Sequence, residues 1–220
     1  MLATDKEIFD AIRTRKGSAL TQDEVNTVNA IMYPATSSGL TPRAMCFTAS
    51  EEGLVQEAYL DSVNVWTAFL GVTNASGHEV YPRYKDAPQD MQKCVDVSVW
   101  LMREKYLPDV LAAFDGYTLK EHELAAALSF HWNTGAIKKT DWVKMVKAGD
   151  RSGARKFLET HYLNNGTLDA RRKREAALFF DAKWPASMLV PVYPVAKPSY
   201  KPAWGKAKSL DIMLYLEKAL

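Results

Sequence analysis

Two carboxylates nine residues apart, Glu52 and Asp61, and the hydroxyl of Thr67 six residues further on are the groups in this sequence best suited to chemistry. Cleavage of a glycosidic bond needs one carboxylic acid that stays protonated to donate to the leaving oxygen. It also needs a second carboxylate that activates a water or attacks the sugar. Thr67, on the strand after Asp61, can hold a water beside that carboxylate. An acidic pair near a helix end says little by itself, because carboxylates are common and usually form a solvated face. What matters is the ordered context around the pair.

A helix start is well marked at Thr41, a capping residue followed by Pro42 in the first helical position, and Gly53 suits the left-handed position just past the end. Glu52 then falls in the last turn. Thr48 and Glu51 are also spaced to cap a helix that begins later. From Leu54 to about Tyr84 the chain changes to short segments rich in Val, Tyr, Trp and Thr. These are broken at Ser62-Val63-Asn64 and at Asn74-Ala75-Ser76-Gly77, the pattern of a small antiparallel sheet. A chain that folds back at 62–64 sets both carboxylates on the walls of one cleft.

The stretch SEEGLVQEAYLDSVNVWT resembles the phage-type lysozymes, glycoside hydrolase family 24. Glu52-Gly53, Tyr59-Leu60-Asp61 and Thr67 match that family's pattern position for position. The resemblance implies that Glu52 is the general acid, that Asp61 positions or activates the water and that Thr67 assists. LSFHWNTGA is similar to the family's cleft-lining helix end and carries that role to Asn133 and Gly135, with Trp132 in a slot usually held by Phe. LDARRKREAALFF is similar to its arginine-rich late helix. Together these cover about 41–184. One departure concerns the hairpin after Thr67, where the family has Gly at the second and fourth positions and this chain has Phe69 and Gly71. The expected consequence is a differently shaped hairpin.

The implied activity is that of an endolysin-type muramidase hydrolysing the β-1,4 bond between N-acetylmuramic acid and N-acetylglucosamine in peptidoglycan, with inversion and with neither metal nor cofactor. A lytic transglycosylase using Glu52 alone is an alternative, but it does not require Asp61 and Thr67. A non-catalytic wall-binding component of a phage particle is another, although an inactive domain need not keep all three residues.

The expected fold class is α+β, lysozyme-like and mostly helical, with a small antiparallel sheet near the catalytic cleft. Three regions are expected: an N-terminal helical extension over 1–40, the catalytic domain over 41–185, and a proline-rich segment with a C-terminal helix over 186–220. In the first, Ile8, Phe9 and Ile12 form an apolar stripe, and Thr21 with Glu24 fits a capping box before Val25, Val28 and Ile31; PATSSG at 34–39 looks like a boundary. Later helices are expected from Asp86 and Pro88 to about Tyr106, from a Thr118/Glu121 capping box to Trp132, and over 141–148, 151–163 and 168–183. Prolines from Pro185 to Pro202 suggest an extended, stiff segment rather than a packed element. The short amphipathic helix after it is expected to dock on its own domain, since it lacks a basic flank for a membrane surface.

The net charge of +2 gives no general case for nucleic acid. Cys46 and Cys94 are too few for a disulfide framework and read as buried thiols, with one disulfide possible. His78, His122, His131 and His161 lack metal-ligand spacing. The run Arg171-Arg172-Lys173-Arg174 reads mainly as salt-bridging, solvated surface, with contact to an anionic wall polymer as the alternative. Tyr59, Trp66 and Trp132 can stack on sugars or simply pack. No signal peptide or membrane span is legible. The expectation is a monomer made in the bacterial host cytoplasm that meets peptidoglycan glycan strands after the membrane is breached, without stable membrane insertion.

Overall fold

The computed structural model describes residues 5–21, 24, 28 and 39–220. The chain divides into two compact units, Met1–Ala35 and Thr36–Leu220. In the first, helix α1 (Asp5–Lys16) ends at Gly17, whose φ is +72°. Thr21 and Glu24 then cap each other: the Thr21 N–H donates to the Glu24 carboxylate at 2.8 Å and the Glu24 N–H to Thr21 Oγ1 at 3.3 Å. Val25, Ile31 and the boundary stretch PATSSG, apart from Gly39, lie outside the described residues.

The second unit opens with α2 (Pro42–Glu52), capped by Thr41, whose Oγ1 accepts from Ala44 N at 3.1 Å. The helix ends where Gly53, at φ +77°, donates its N–H back to Ala49. The later start is thereby excluded, since Thr48 is buried in mid-helix. Strands β1 (Val55–Leu60), β2 (Trp66–Phe69) and β3 (Val72–Thr73) follow as an antiparallel sheet in that order. Next come α3 (Met91–Leu101), a π-helical turn (Met102–Tyr106), α4 (Leu107–Ala113), α5 (Glu121–Thr134), α6 (Asp141–Lys147), α7 (Arg151–Thr160) and α8 (Asp169–Asp181). The core lies where α5 packs between α2 and α8. There Trp142 meets Phe130 edge-on at 5.5 Å, Phe179 at 5.1 Å and Phe114 at 5.7 Å.

Two helix starts differ from expectation. Asp86 does not open α3. It sits at φ +57°, and its carboxylate is taken by Lys197 and Tyr200, so Asp90 caps instead, accepting from Lys93 N at 2.8 Å. Thr118 and Glu121 do not form the box before α5. Glu121 accepts from the Thr41 hydroxyl at 2.7 Å, and the Glu123 carboxylate takes the Lys120 N–H at 3.0 Å.

The larger correction concerns 186–220, which is packed rather than a free extended segment. Strand β4 (Val190–Val192) pairs with β7 (Lys208–Leu210), and between them β5 (Val195–Ala196) pairs with β6 (Lys201–Pro202). Two-stranded ribbons consist of edges, so Pro191 and Pro202 are tolerated in them. Val190, Val192, Ile212 and Leu216 are buried in the main core. Helix α9 (Met213–Ala219) packs on α3 and α2. Cys46 and Cys94 are unpaired, and burial raises their thiol pKa values to about 11 and about 12. No helix among the described residues is long and apolar enough to cross a membrane.

Phe69 stands in the left-handed region at φ +59°, the conformation that glycine adopts without cost, and Gly71 follows at φ +91°. The side chain compensates: Phe69 is buried and packs on Tyr84 at 4.8 Å. Phe69→Gly relieves backbone strain of about 1 kcal/mol but loses an aromatic worth about 3–5 kcal/mol, a net destabilisation of about 2–4 kcal/mol. Thermal melting is the measurement, and a raised midpoint would contradict this balance.

Candidate active site

Glu52 is the last residue of α2, and its Oε1 meets Arg171 Nη1 of α8 at 2.6 Å. Arg171 is buried and held on every side: Nε donates to Glu175 at 3.0 Å and Nη2 to the Ser129 carbonyl at 2.9 Å. Burial opposes its charge, but the carboxylates of Glu52 and Glu175 outweigh that and raise its pKa. Glu175, fully buried, also accepts from Ser129 Oγ at 2.7 Å and from Arg172. Arg172 in turn donates to Asn133 Oδ1. The Glu52–Arg171 ion pair thus leads into a chain of charged hydrogen bonds that runs from Arg171 through Glu175 and Arg172 to Asn133 at the end of α5.

These contacts revise the reading of the basic run as solvated surface. Arg171 and Arg172 are interior, while Arg174 clamps Glu51 through two bonds of 2.6 and 2.7 Å. Glu51 is accordingly an ion-paired, nearly covered carboxylate rather than a solvated one, with 7% of its side chain exposed. A sequence signal for part of this existed, since Arg171 and Arg172 stand four and three residues before Glu175, the spacing of ion pairs on one helix face.

Asp61 follows β1. Its Oδ1 accepts from Val63 N at 3.0 Å and Val65 N at 2.8 Å, leaving Oδ2 without a protein partner among the described residues. Tyr59 and Thr67 face each other across β1 and β2. The Thr67 hydroxyl donates to the Val65 carbonyl at 3.1 Å, which leaves its lone pairs to accept. Burial, then the charges of Asp61 and Glu52, push the Tyr59 phenol up to about 12. One neutral hydroxyl therefore lies within electrostatic reach of both carboxylates. Tyr106, not anticipated from sequence, is raised by burial and then by Glu52.

Trp132 stacks on Tyr106 at 4.3 Å, and its indole nitrogen lies beside Gly71 at the tip of the β2–β3 hairpin. The hairpin and the end of α5 thus meet at this ring. Gly135 ends α5 with φ +63° and open space at its α-carbon. Trp66 is a packing residue, stacked on Tyr81 at 4.8 Å and edge-on to Tyr200 at 5.2 Å. His131 is buried and lies 3.4 Å from Asp109, and burial lowers its pKa. Among the described residues no group of three or more His, Cys, Asp or Glu is arranged to hold a metal ion.

The family model described as phage lysozyme matches residues 49–175, a span that contains every residue of the charged chain and both Asp61 and Thr67. Among solved structures, the endolysin of Escherichia coli O157:H7 phage FAHEc1 aligns with TM-score 0.52 and 20% identity over 68% of this chain and 98% of its own. A mutant P22 lysozyme aligns with TM-score 0.50 and 20% identity over 62% of this chain and 94% of its own. At this identity the likeness establishes a shared fold. No curated protein sequence matches the chain.

Proposed function

We propose, starting from the fact that this chain belongs to the phage lysozyme family of glycoside hydrolases, that it cleaves the β-1,4 bond between N-acetylmuramic acid and N-acetylglucosamine in peptidoglycan. Glu52 is the general acid, and Asp61 with Thr67 holds the attacking water. The observation that carries this is the placement of the two carboxylates: Glu52 is oriented through Oε1 by a buried arginine, and the Asp61 Oδ2 is free to accept from water.

In this reading Arg171 fixes the Glu52 carboxyl, and Oε2 carries the proton delivered to the glycosidic oxygen. As the bond lengthens, positive charge grows on the anomeric carbon and ring oxygen. The water held by Asp61 Oδ2 and the Thr67 lone pairs attacks the opposite face, giving its proton to Asp61. Asn133, its Oδ1 occupied by Arg172, offers its amide N–H groups to the glycan. Tyr59, Trp132 and Gly135 complete the cleft wall, with Tyr59 a neutral donor at working pH. The substrate is the cell wall, and we place the site of action there.

Mass spectrometry of fragments released from purified peptidoglycan tests the bond and the mechanism together. Reducing N-acetylmuramic acid ends are expected, appearing first as the α anomer in a rapid NMR time course because inversion of a β bond gives α. A β anomer would overturn the inverting mechanism. Anhydro ends would move the assignment to a transglycosylase, and no release at all would leave wall binding without turnover.

A further inference from the structure

We propose that Lys201, carried by the C-terminal hairpins, is a positioning residue for Asp61: its ammonium ties off the turn that aims the second carboxylate. The inference rests on the role given to Asp61 above. It makes a segment beyond the family match a working part of the enzyme, since the match ends at residue 175.

Asp61 cannot be aimed independently of its turn. Its Oδ1 is held by two N–H groups of that turn, its own N–H donates to Val65 O at 3.1 Å, and its carbonyl accepts from Asn64 N at 3.1 Å. Yet the turn has little packing of its own. Val63 at its tip is 73% exposed and Asn64 is left-handed at φ +63°. The external anchor is Lys201, whose Nζ donates to the Asp61 carbonyl at 2.6 Å and to Asn64 Oδ1 at 2.8 Å. One ammonium therefore spans both ends of the turn.

The lysine is itself set by strand register. It pairs with Ala196 in the β5–β6 ribbon, and the carbonyl of its neighbour Tyr200 accepts the Leu60 N–H at 2.7 Å. The same segment grips the other end of β1: Leu54 N donates to Pro191 O at 2.8 Å and Tyr193 N to Leu54 O at 2.9 Å. Tyr193 lies so close that a Cβ placed on Gly53 would come within 2.5 Å of its ring. The strand joining Glu52 to Asp61 is thus pinned at both ends by residues 191–201. Lys197 differs, because it binds Glu57 at 2.9 Å and Asp86 at 2.6 Å and has no bond to the turn.

The test compares Lys201→Met, Lys201→Arg, Lys197→Met, Asp61→Asn and the Asp61→Asn/Lys201→Met double variant. Reducing-end release from purified peptidoglycan gives kcat and KM, and thermal melting runs alongside. A misaimed catalytic group costs rate rather than binding, so Lys201→Met is expected to lower kcat about tenfold with KM within about threefold of wild type. Lys201→Arg recovers most of that loss. Lys197→Met keeps kcat within about twofold. Residues that act as one unit are non-additive, so Lys201→Met costs less than about twofold further in the Asp61→Asn background.

Wild-type kcat in Lys201→Met, or the same tenfold loss with and without the Asp61 carboxylate, would overturn the proposal. Wild-type turnover in Asp61→Asn would overturn the role of Asp61 and the proposal with it, and is a separate result. If Lys201→Met does not fold, Asn64→Gly, which removes one of the two acceptors and keeps the left-handed backbone, replaces it in the same comparison. A kcat loss confined to the Asp61 background then supports the proposal, and an additive loss overturns it.

Discussion

Glu52→Gln is expected to lower turnover on peptidoglycan by about a thousandfold or more, at or near the detection limit of a reducing-end assay. General acid catalysis contributes roughly 10²–10⁴-fold, and an amide has no proton to give at neutral pH. The substitution is close to isosteric, the amide oxygen can still face the Arg171 guanidinium, and Arg171 keeps Glu175 and Ser129. The fold should therefore survive, with a melting midpoint within a few degrees of wild type. Glu51→Gln is the control, because Glu51 is committed to Arg174 and is given no role in the proposed reaction. It should turn over like wild type. More than a tenth of wild-type turnover in Glu52→Gln, or a comparable loss in Glu51→Gln, would remove Glu52 from its role.

The largest effect on stability is expected from Glu175→Ala. Glu175 lies wholly inside the protein between two guanidiniums and the Ser129 hydroxyl. Deleting one member of a buried ion pair strands the remaining charge at about 3–5 kcal/mol, and here two guanidiniums share the loss. In a protein of this size that corresponds to a fall of roughly 6–20 °C in the melting midpoint. Activity should fall as well, because Arg171 would be free to turn away from Glu52. A midpoint within 2 °C of wild type, by calorimetry at neutral pH, would mean that water or rearrangement compensates the arginines.

Local chemistry made much of this legible in advance. Thr41, Pro42 and Gly53 mark both ends of α2 by capping rules that need only neighbouring residues, and that is enough to put Glu52 at a helix terminus. The change to β-branched and aromatic residues after Leu54 gave the sheet for the same reason. Failures occur where a distant partner overrides a local preference. Asp86 has the composition of a helix cap but is claimed by Lys197 and Tyr200, more than a hundred residues later. Glu121 is drawn off by Thr41, so the cap of α5 moves to Glu123. The arginine run looked solvated because charge alone does not reveal that Glu175, Ser129 and Asn133 meet it inside. Lys201 has no sequence signature, since both of its acceptors belong to a turn on the far side of the chain.

The pinning of β1 by the C-terminal ribbons also has a consequence for synthesis. Lys201 and Asp61 are 140 residues apart, and the bonds from the C-terminal ribbons that pin the two ends of β1 wait on residues 191–201. The entropy of closing so long a loop grows only slowly with its length, but the search for such contacts delays folding. Helices α2 to α8 can collapse on the ribosome while Tyr84 and Gln89 hold only the middle of β1 and its two ends are still unpinned. The nascent chain therefore carries Glu52 and Asp61 long before the strand between them is fixed at both ends, and hydrolytic competence is expected as one of the last events of folding.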